Sequence, residues 1–380
     1  MKKQSCYYRR LIIDGTSISI KMDGLSQYIL NIVVNLDAKV LENYETRILL
    51  NRDCCMDNYL QQFQNKGIIL EFVNIPPIGP LRGLKFLLYV WKNKQKTDLF
   101  YIPSNQWPLC LNRGIYTIHD LTYEQYPEQL GRFKKLKRFF LRFVTQKGLQ
   151  KATHIIAVSE QTKSDILRRY SRVKGLSNKI EVIGEGYEHL ESIIANDKFE
   201  KPFSEYLLYV GSSRGHKNIS GLLNAVFLIK NLLPPSWGVV LVGNLSWMNK
   251  EQIHLIQKIN SERKIIHTTG WLSDADMSGF FRQASAFIFP SLSEGFGIPV
   301  LESFYYKIPL ICSNQSALPE VAGDAALYFN PNNSQDIGDK ILFFIENKDT
   351  LSKELTDKGN ERLKLFGWEK AAKELLKYLN

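Results

Sequence analysis

AFIFPSLSEGFGIPVLE, residues 286–302, identifies the class of architecture. It opens with a short apolar run, Ala286–Pro290, of the kind a strand buried on both faces requires. Gly295 and Gly297 then permit a tight turn, and Pro299 suits the first turn of a helix. The unit therefore reads strand, glycine turn, helix. Ligands of open parallel sheets lie beyond the carboxyl ends of the strands. That rule gathers Glu294, the turn amides, a positive helix end and Glu302 into one loop. Such a set can hold a diphosphate on the amides while the carboxylates grip hydroxyls. The plainer reading is a strand–turn–helix whose acidic first turn complements the helix dipole. The loop alone does not separate the two.

Working outward, strand-like runs alternate with helical stretches along the whole chain. The first series is Arg10–Asp14, Thr46–Asn51, Ile68–Val73, Asp98–Ile102, Ile115–His119, His154–Val158 and Ile180–Ile183. The second starts with YLLYVG at Tyr206 and continues through Gly238–Gly243, Ile265–Thr268, Ala286–Pro290, Pro309–Cys312 and Ala326–Phe329. Alternation of this kind implies right-handed crossovers and parallel sheets. Two series imply two doubly wound, Rossmann-like α/β lobes facing a cleft. The expected boundaries are 1–185 for the first lobe, 186–204 for a linker without periodicity and 205–360 for the second lobe. A terminal segment, 361–380, carries a helix with Ala371, Ala372, Leu375, Leu376 and Leu379 at helical spacing, which needs a surface to bury against.

The bulk numbers narrow the classes. A length of 380 residues suits two domains. With 44 % hydrophobic and 23 % charged residues, long disorder is excluded. No apolar run reaches eighteen residues, and the four-residue run behind MKKQSCYYRR is too short for a signal sequence. The five cysteines, Cys6, Cys54, Cys55, Cys110 and Cys312, form no CxxC or Cys/His cluster. A disulfide framework or zinc site is not expected, and a reducing, cytoplasmic compartment fits. The net charge of +11 suits a polyanionic partner: nucleic acid, an anionic membrane or a phosphate-bearing substrate.

The 286–302 loop resembles the Glu-x7-Glu signature of family 4 of the retaining glycosyltransferases, enzymes of the two-lobed GT-B fold. More of the chain is similar to that family. YVGSSRGHKN at 209–218 resembles its phosphate loop. TIHDLTYEQYPE at 117–128 and HIIAVSEQTKSDI at 154–166 resemble first-lobe segments. TGWLSDADM at 269–277 and ALPEVAGDAALYFNP at 317–331 resemble second-lobe ones, and GWEKAAKELL resembles the helix that crosses back to the first lobe.

The resemblance implies roles. Glu294 would contact hydroxyls of the transferred sugar, and Glu302 the ribose. The amides of Gly295, Phe296 and Gly297 would border phosphates and sugar, and Leu272 in TGWLSDADM would border the donor. Lys217 would sit on the diphosphate and His119 on the donor sugar, with Glu294, His119 and Lys217 as the catalytic set. A fixed cation and helix-end amides can carry the charge that builds on a departing nucleotide, so neither metal nor cofactor is expected. Taken alone, Lys217 reads as a solvated lysine at a helix start, His119 as a structural hydrogen-bonder, and Asp120 as a helix cap.

Two departures stand out. The family usually has an arginine after the glycine of the phosphate loop, where this chain has Ser212; Arg214 or His216 could supply the charge. In DGLSQY, residues 23–28, only Gly24 remains of a loop that often carries a glycine pair and an arginine. Other motifs fail. Asp274-Ala-Asp276 has the Asp-x-Asp pattern of metal-dependent transferases but follows Ser273 at a helix start, and reads as a cap. GSSRGHKN breaks the P-loop spacing, and no GxGxxG follows the first strand.

RFKKLKRFFLRFVTQK, residues 132–147, is the most basic stretch. Phe133, Leu136, Phe140, Phe143 and Val144 share a face, which reads first as ordinary packing on the sheet. Its basic side suits anionic lipid headgroups. Arg82–Lys96 repeats the theme with Phe86, Leu87, Leu88, Tyr89 and Trp91 beside Lys85, Lys92 and Lys94.

The expectation is a metal-independent retaining hexosyltransferase working in the cytoplasm, with peripheral contact at the inner face of the plasma membrane. It would use a nucleotide-sugar donor and a glycan or lipid-linked glycan acceptor, with no nucleic acid partner. The first-lobe segments lean toward surface-polysaccharide enzymes and mannosyl transfer from GDP-mannose. The alternatives are a catalytically silent membrane-associated scaffold, and a GT-B epimerase or phosphorylase.

Overall fold

The computed structural model describes residues 9–19, 23–52, 57–93, 95, 98–194, 200–243 and 248–379. Cys6, Cys54, Cys55 and Lys94, weighed above, lie outside them. The chain divides into two units, Met1–Gly186 with Gly367–Asn380, and Tyr187–Phe366.

The first unit is built on seven strands: β1 Arg9–Asp14, β2 Tyr44–Asn51, β3 Ile69–Val73, β4 Leu99–Ile102, β5 Ile115–Ile118, β6 His154–Ala157 and β7 Ile180–Val182. They form one parallel sheet in the order β3-β2-β1-β4-β5-β6-β7. The second unit has six: β8 Glu205–Val210, β9 Trp237–Val242, β10 Ile266–Gly270, β11 Ala286–Phe289, β12 Leu310–Ser313 and β13 Ala326–Phe329. These too are parallel, in the order β10-β9-β8-β11-β12-β13. All thirteen expected strands form, and both sheets are doubly wound. Their centres explain why the runs were continuous: β5, β9, β11 and β12 are buried at every position, so both faces select apolar side chains.

Each sheet reverses its strand order once, between β1 and β4 in the first and between β8 and β11 in the second. Crossovers leaving opposite sides of such a point part the loops and open a crevice at the strand ends. The loops after β8 and β11 are GSSRGHKN and the 290–297 turn.

In the first unit, helix Pro80–Asn93 joins β3 to β4, and helix Lys134–Lys151 joins β5 to β6. Both crossovers run in the same direction across the sheet, so right-handedness places both helices on one face. Phe86, Tyr89 and Val90 of the first and Val144 and Leu149 of the second accordingly share a core. The reading of 132–147 as ordinary packing holds only for its end. Val144, Thr145, Gly148 and Leu149 are buried, whereas Leu136, Phe139 and Phe143 are exposed. In its first two turns only Phe140 packs against the core and Lys137 donates to the Leu130 carbonyl at 2.9 Å, while Leu136 and Phe139 stay exposed.

Residues beyond Gly367 belong with the first unit. Helix Trp368–Leu376 buries Ala371, Ala372, Leu375 and Leu376, and Trp368 meets Tyr28 edge-on at 5.9 Å. The segment expected as a linker goes with the second unit from Tyr187, and helix Lys348–Leu363 stays there whole. Among the described residues no helix is long and apolar enough to cross a membrane.

Candidate active site

The loop after β11 turns on Gly297. Its φ is +106°, and a Cβ there would stand 2.9 Å from Cδ2 of Leu318. A side chain would be strained by the backbone and crowded by its neighbour, so glycine is required. Gly297 caps helix Ile298–Tyr305, with Pro299 in the first turn. The loop is braced from outside the motif. Ser316 accepts from the Glu294 amide at 3.0 Å, and its hydroxyl donates to the Glu294 carbonyl at 2.6 Å. Ser316 itself holds φ +60°, unusual for a residue with a side chain.

Across the order reversal, the loop after β8 makes a short turn at Gly215–Lys217 before helix Ile219–Ile229. Asn218 sits in the left-handed region as that helix's cap. Its amide donates to the carbonyls of Pro290 and Pro331, while its oxygen accepts from Gly221. The Leu292 amide donates to the His216 carbonyl at 2.7 Å. One asparagine and one backbone bond thus fix the two loops in register.

The outcome is an ion pair. Lys217 Nζ lies 2.7 Å from Glu294 Oε1, and 5.5 Å from the centre of the Phe289 ring. Both side chains are largely buried, at 20 % and 12 % exposure. Glu302 lies nearby. Its carboxyl is pushed up to about 7, first by desolvation and then by the charge of Asp274, with Lys217 acting the other way. Four charged groups therefore share one neighbourhood: Lys217, Glu294, Glu302 and Asp274.

Several details differ from the sequence reading. No acidic residue stands in the first turn of helix Ile298–Tyr305, so the macrodipole does not account for Glu302, which lies a turn further in. Ser273 is the cap of helix Asp274–Gln283, accepting from the Asp276 amide; Asp276 also accepts from the Ser273 hydroxyl at 2.7 Å. Asp274 is more than a capping residue, since its charge reaches Glu302. The Asp-x-Asp spacing drew attention there for metal binding, yet among the described residues no three His, Cys, Asp or Glu side chains gather to hold an ion. Of the two candidates for the missing loop cation, Arg214 is exposed and His216 buried. Ser212 offers its carbonyl to the Tyr209 hydroxyl at 2.8 Å. Leu272 is partly buried just beyond β10. Gly295 and the buried Phe296 complete the turn, and Phe296 packs edge-on to Phe366 at 5.5 Å.

Sequence reasoning missed Ser316, which carries no local signal because it acts through a hydroxyl 22 residues from the loop; Asp274 was seen, but its effect on Glu302 was not.

In the first unit, His119 follows β5 and is held on several sides. Its amide donates to Asn105 Oδ1 at 2.8 Å, and Nε2 lies 3.0 Å from the Pro103 carbonyl. A carbonyl only accepts, so Nε2 carries a proton. Nδ1 is 3.5 Å from Glu185 Oε1, and Tyr28 stands edge-on at 4.5 Å. Asp120 caps the next turn by accepting from the Thr122 amide. Gly24 opens helix Gly24–Val34, whose cap Asp23 accepts from Ser26.

Comparison with known proteins finds relatives of the same fold. Residues 191–362 match the family described as glycosyl transferases group 1. The O-antigen chain mannosyltransferase B of Escherichia coli is 27 % identical over 375 residues, covering 95 % of this chain and 96 % of that protein. Two solved structures share the fold over nearly full length. Anabaena Alr3699/HepE, in complex with UDP and glucose, has a TM-score of 0.72 at 16 % identity, covering 98 % of this chain and 99 % of that one. WaaG, a glycosyltransferase involved in lipopolysaccharide biosynthesis, has 0.72 at 12 % identity, covering 97 % and 99 %. Its segment 191–362 is thus similar to the group 1 glycosyl transferases, and its two doubly wound sheets give the chain the GT-B fold.

Proposed function

We propose that the chain is a metal-independent, retaining hexosyltransferase of surface-polysaccharide synthesis. It would move a hexose, mannose by analogy with its relatives, from a nucleotide diphosphate sugar to a hydroxyl of a glycan or lipid-linked glycan. The observation that carries the reading is the Lys217–Glu294 pair at the order reversal of the second sheet, beside the amides of the Gly297 turn.

The chemistry follows from those groups. Diphosphate oxygens would take Lys217, aided by the exposed Arg214 and the helix-end amides, and so free Glu294 to accept from sugar hydroxyls. Glu302 would grip the ribose. As the bond from the sugar C1 to phosphate breaks, negative charge builds on the departing diphosphate, where the fixed cation and amides lower the barrier. The acceptor oxygen would bond to C1 on the face the phosphate leaves, passing its proton to a phosphate oxygen. His119, with its proton fixed on Nε2, is the group of the first unit assigned to the donor sugar.

The test is a panel of nucleotide sugars screened by thermal shift, then transfer to a glycan acceptor with the product anomer read by NMR. GDP-mannose should stabilise the chain by mass action. Transfer should persist in EDTA and give a product of unchanged configuration. Transfer lost in EDTA and restored by magnesium would overturn the metal-independent mechanism, and an inverted product would overturn retention.

A further inference from the structure

Glu185 stands just past β7, where the Ile183 amide extends the sheet by donating to the Ala157 carbonyl at 3.0 Å. Its side chain is 6 % exposed. A carboxylate buried that deeply has lost its water and is tolerated where it meets a partner. One such partner is His119, which follows β5, two strands away in the sheet. Nδ1 of its ring lies 3.5 Å from Glu185 Oε1.

The rest of His119 is fixed by neutral groups. Its amide donates to Asn105 Oδ1 at 2.8 Å, and its carbonyl accepts from the Thr162 hydroxyl at 3.2 Å. Nε2 donates to the Pro103 carbonyl at 3.0 Å. A neutral imidazole carries one proton, and that contact places it on Nε2. Nδ1 would then turn a lone pair toward a carboxylate oxygen, an arrangement that repels. A second proton, lying between Nδ1 and Oε1, converts the contact into attraction. The pair thus holds two protons over three sites and has no net charge.

The ionisable groups around the ring are otherwise engaged. Tyr28 stands edge-on at 4.5 Å, and its hydroxyl meets those of Tyr101 at 3.2 Å and Thr117 at 3.4 Å. That hydroxyl is pushed up to about 12, first by burial, and stays neutral. Burial raises Tyr101 as well. Asp120 gives a carboxylate oxygen to the Thr122 amide. Trp368 backs Tyr28 on the far side. The His119 side chain nevertheless remains 15 % exposed. An entering hydroxyl can compete with a neutral carbonyl for Nε2–H, but not with a buried carboxylate for Nδ1, because charge-assisted contacts are roughly twice as strong.

We infer that Glu185 is a positioning residue for transfer: it anchors the His119 ring at Nδ1, leaving Nε2–H as the ring donor that a hydroxyl of the donor sugar takes over from the Pro103 carbonyl. The proton pattern of one ring nitrogen is set by what the other one meets. The inference rests on the proposed contact between His119 and the donor sugar, and one arm of its test does not depend on transfer.

The first arm is a double-mutant cycle read by transfer kinetics. Glu185→Leu should lower kcat/KM about tenfold or more in the parent, and less than about twofold in the His119→Ala background. Glu185→Gln, whose amide can donate to Nδ1 of a neutral ring, should stay within about threefold of the parent. A carboxylate that only supports the fold would cost as much without His119 as with it, and that result overturns the inference. Should Glu185→Leu fail to fold, the Gln variant still decides, since a loss above tenfold there is equally fatal. The second arm is NMR of the substrate-free chain with 15N-labelled histidine, His119 being identified by the signal lost in His119→Ala. Its Nε2–H should persist in Glu185→Gln and exchange with water at least tenfold faster in Glu185→Leu. An unchanged signal in Glu185→Leu overturns the anchoring whether or not a donor is found. The expected signals from a chain that transfers no sugar would instead remove the proposed function and leave the anchoring in place.

Discussion

Lys217 and Glu294 stand 77 residues apart in sequence and 2.7 Å apart in space, across the order reversal of the second sheet. The pair neutralises two largely buried charges, and a diphosphate is the partner that would part them. Removing one member leaves the other uncompensated in a site poor in water. Lys217→Met should lower the melting temperature and reduce kcat/KM at least a hundredfold. Lys217→Met/Glu294→Gln should recover stability but not activity. Calorimetry and transfer kinetics on the set check this; a single variant as stable as the parent would show that the pair holds little.

Glu294→Gln should keep the fold and reduce kcat by two orders of magnitude or more. Loss of one oriented polar contact in such a site costs about 3 kcal/mol of transition-state stabilisation. The loop itself is braced by Ser316 through backbone atoms of residue 294, which the substitution leaves in place. Transfer within fivefold of the parent would remove Glu294 from the reaction.

Glu302 sets a pH dependence. Its carboxyl is raised to about 7 in the folded chain, from an ordinary value of 4.5. The folded state therefore holds the proton more tightly than the unfolded one, and stability from this group is present below about pH 4.5 and lost as pH rises through 7. Glu302→Gln should raise the melting temperature at pH 8, by about a few degrees, and scarcely at pH 5. Nucleotide affinity should fall in the same variant. An equal change at both pH values would place the carboxyl elsewhere in the titration.

Gly297→Ala should impair transfer and destabilise by roughly 1–3 kcal/mol, the cost of holding an alanine at a strongly positive φ. Trimming the crowding neighbour with Leu318→Ala should fail to restore activity, because the backbone strain persists. Full rescue by that second change would show crowding to be the whole effect.

Arg82→Met should destabilise the first unit by about 3–5 kcal/mol, since Asp14 is left charged and buried. Asp14→Asn/Arg82→Met should recover much of that loss. Chemical denaturation of the parent and both variants separates the outcomes.

The two sheets were legible in the order of amino acids. Strands buried on both faces read as unbroken apolar runs, and glycine and proline punctuate the turns, so local chemistry was enough to locate all thirteen strands. Glu294, Gly297 and Lys217 could be singled out because the 209–218 loop and the glycine turn are each contiguous in sequence. How such segments meet was not legible there. That Ser316 braces residue 294, that Asp274 raises Glu302, and that Arg82 pairs with Asp14 depend on distances between chain-remote groups, for which no spacing rule exists. Helix Lys134–Lys151 is the same lesson reversed. Its apolar spacing promised burial of one whole face, but Leu136 and Phe143 of that face stay exposed while Phe140 and Val144 pack against the core.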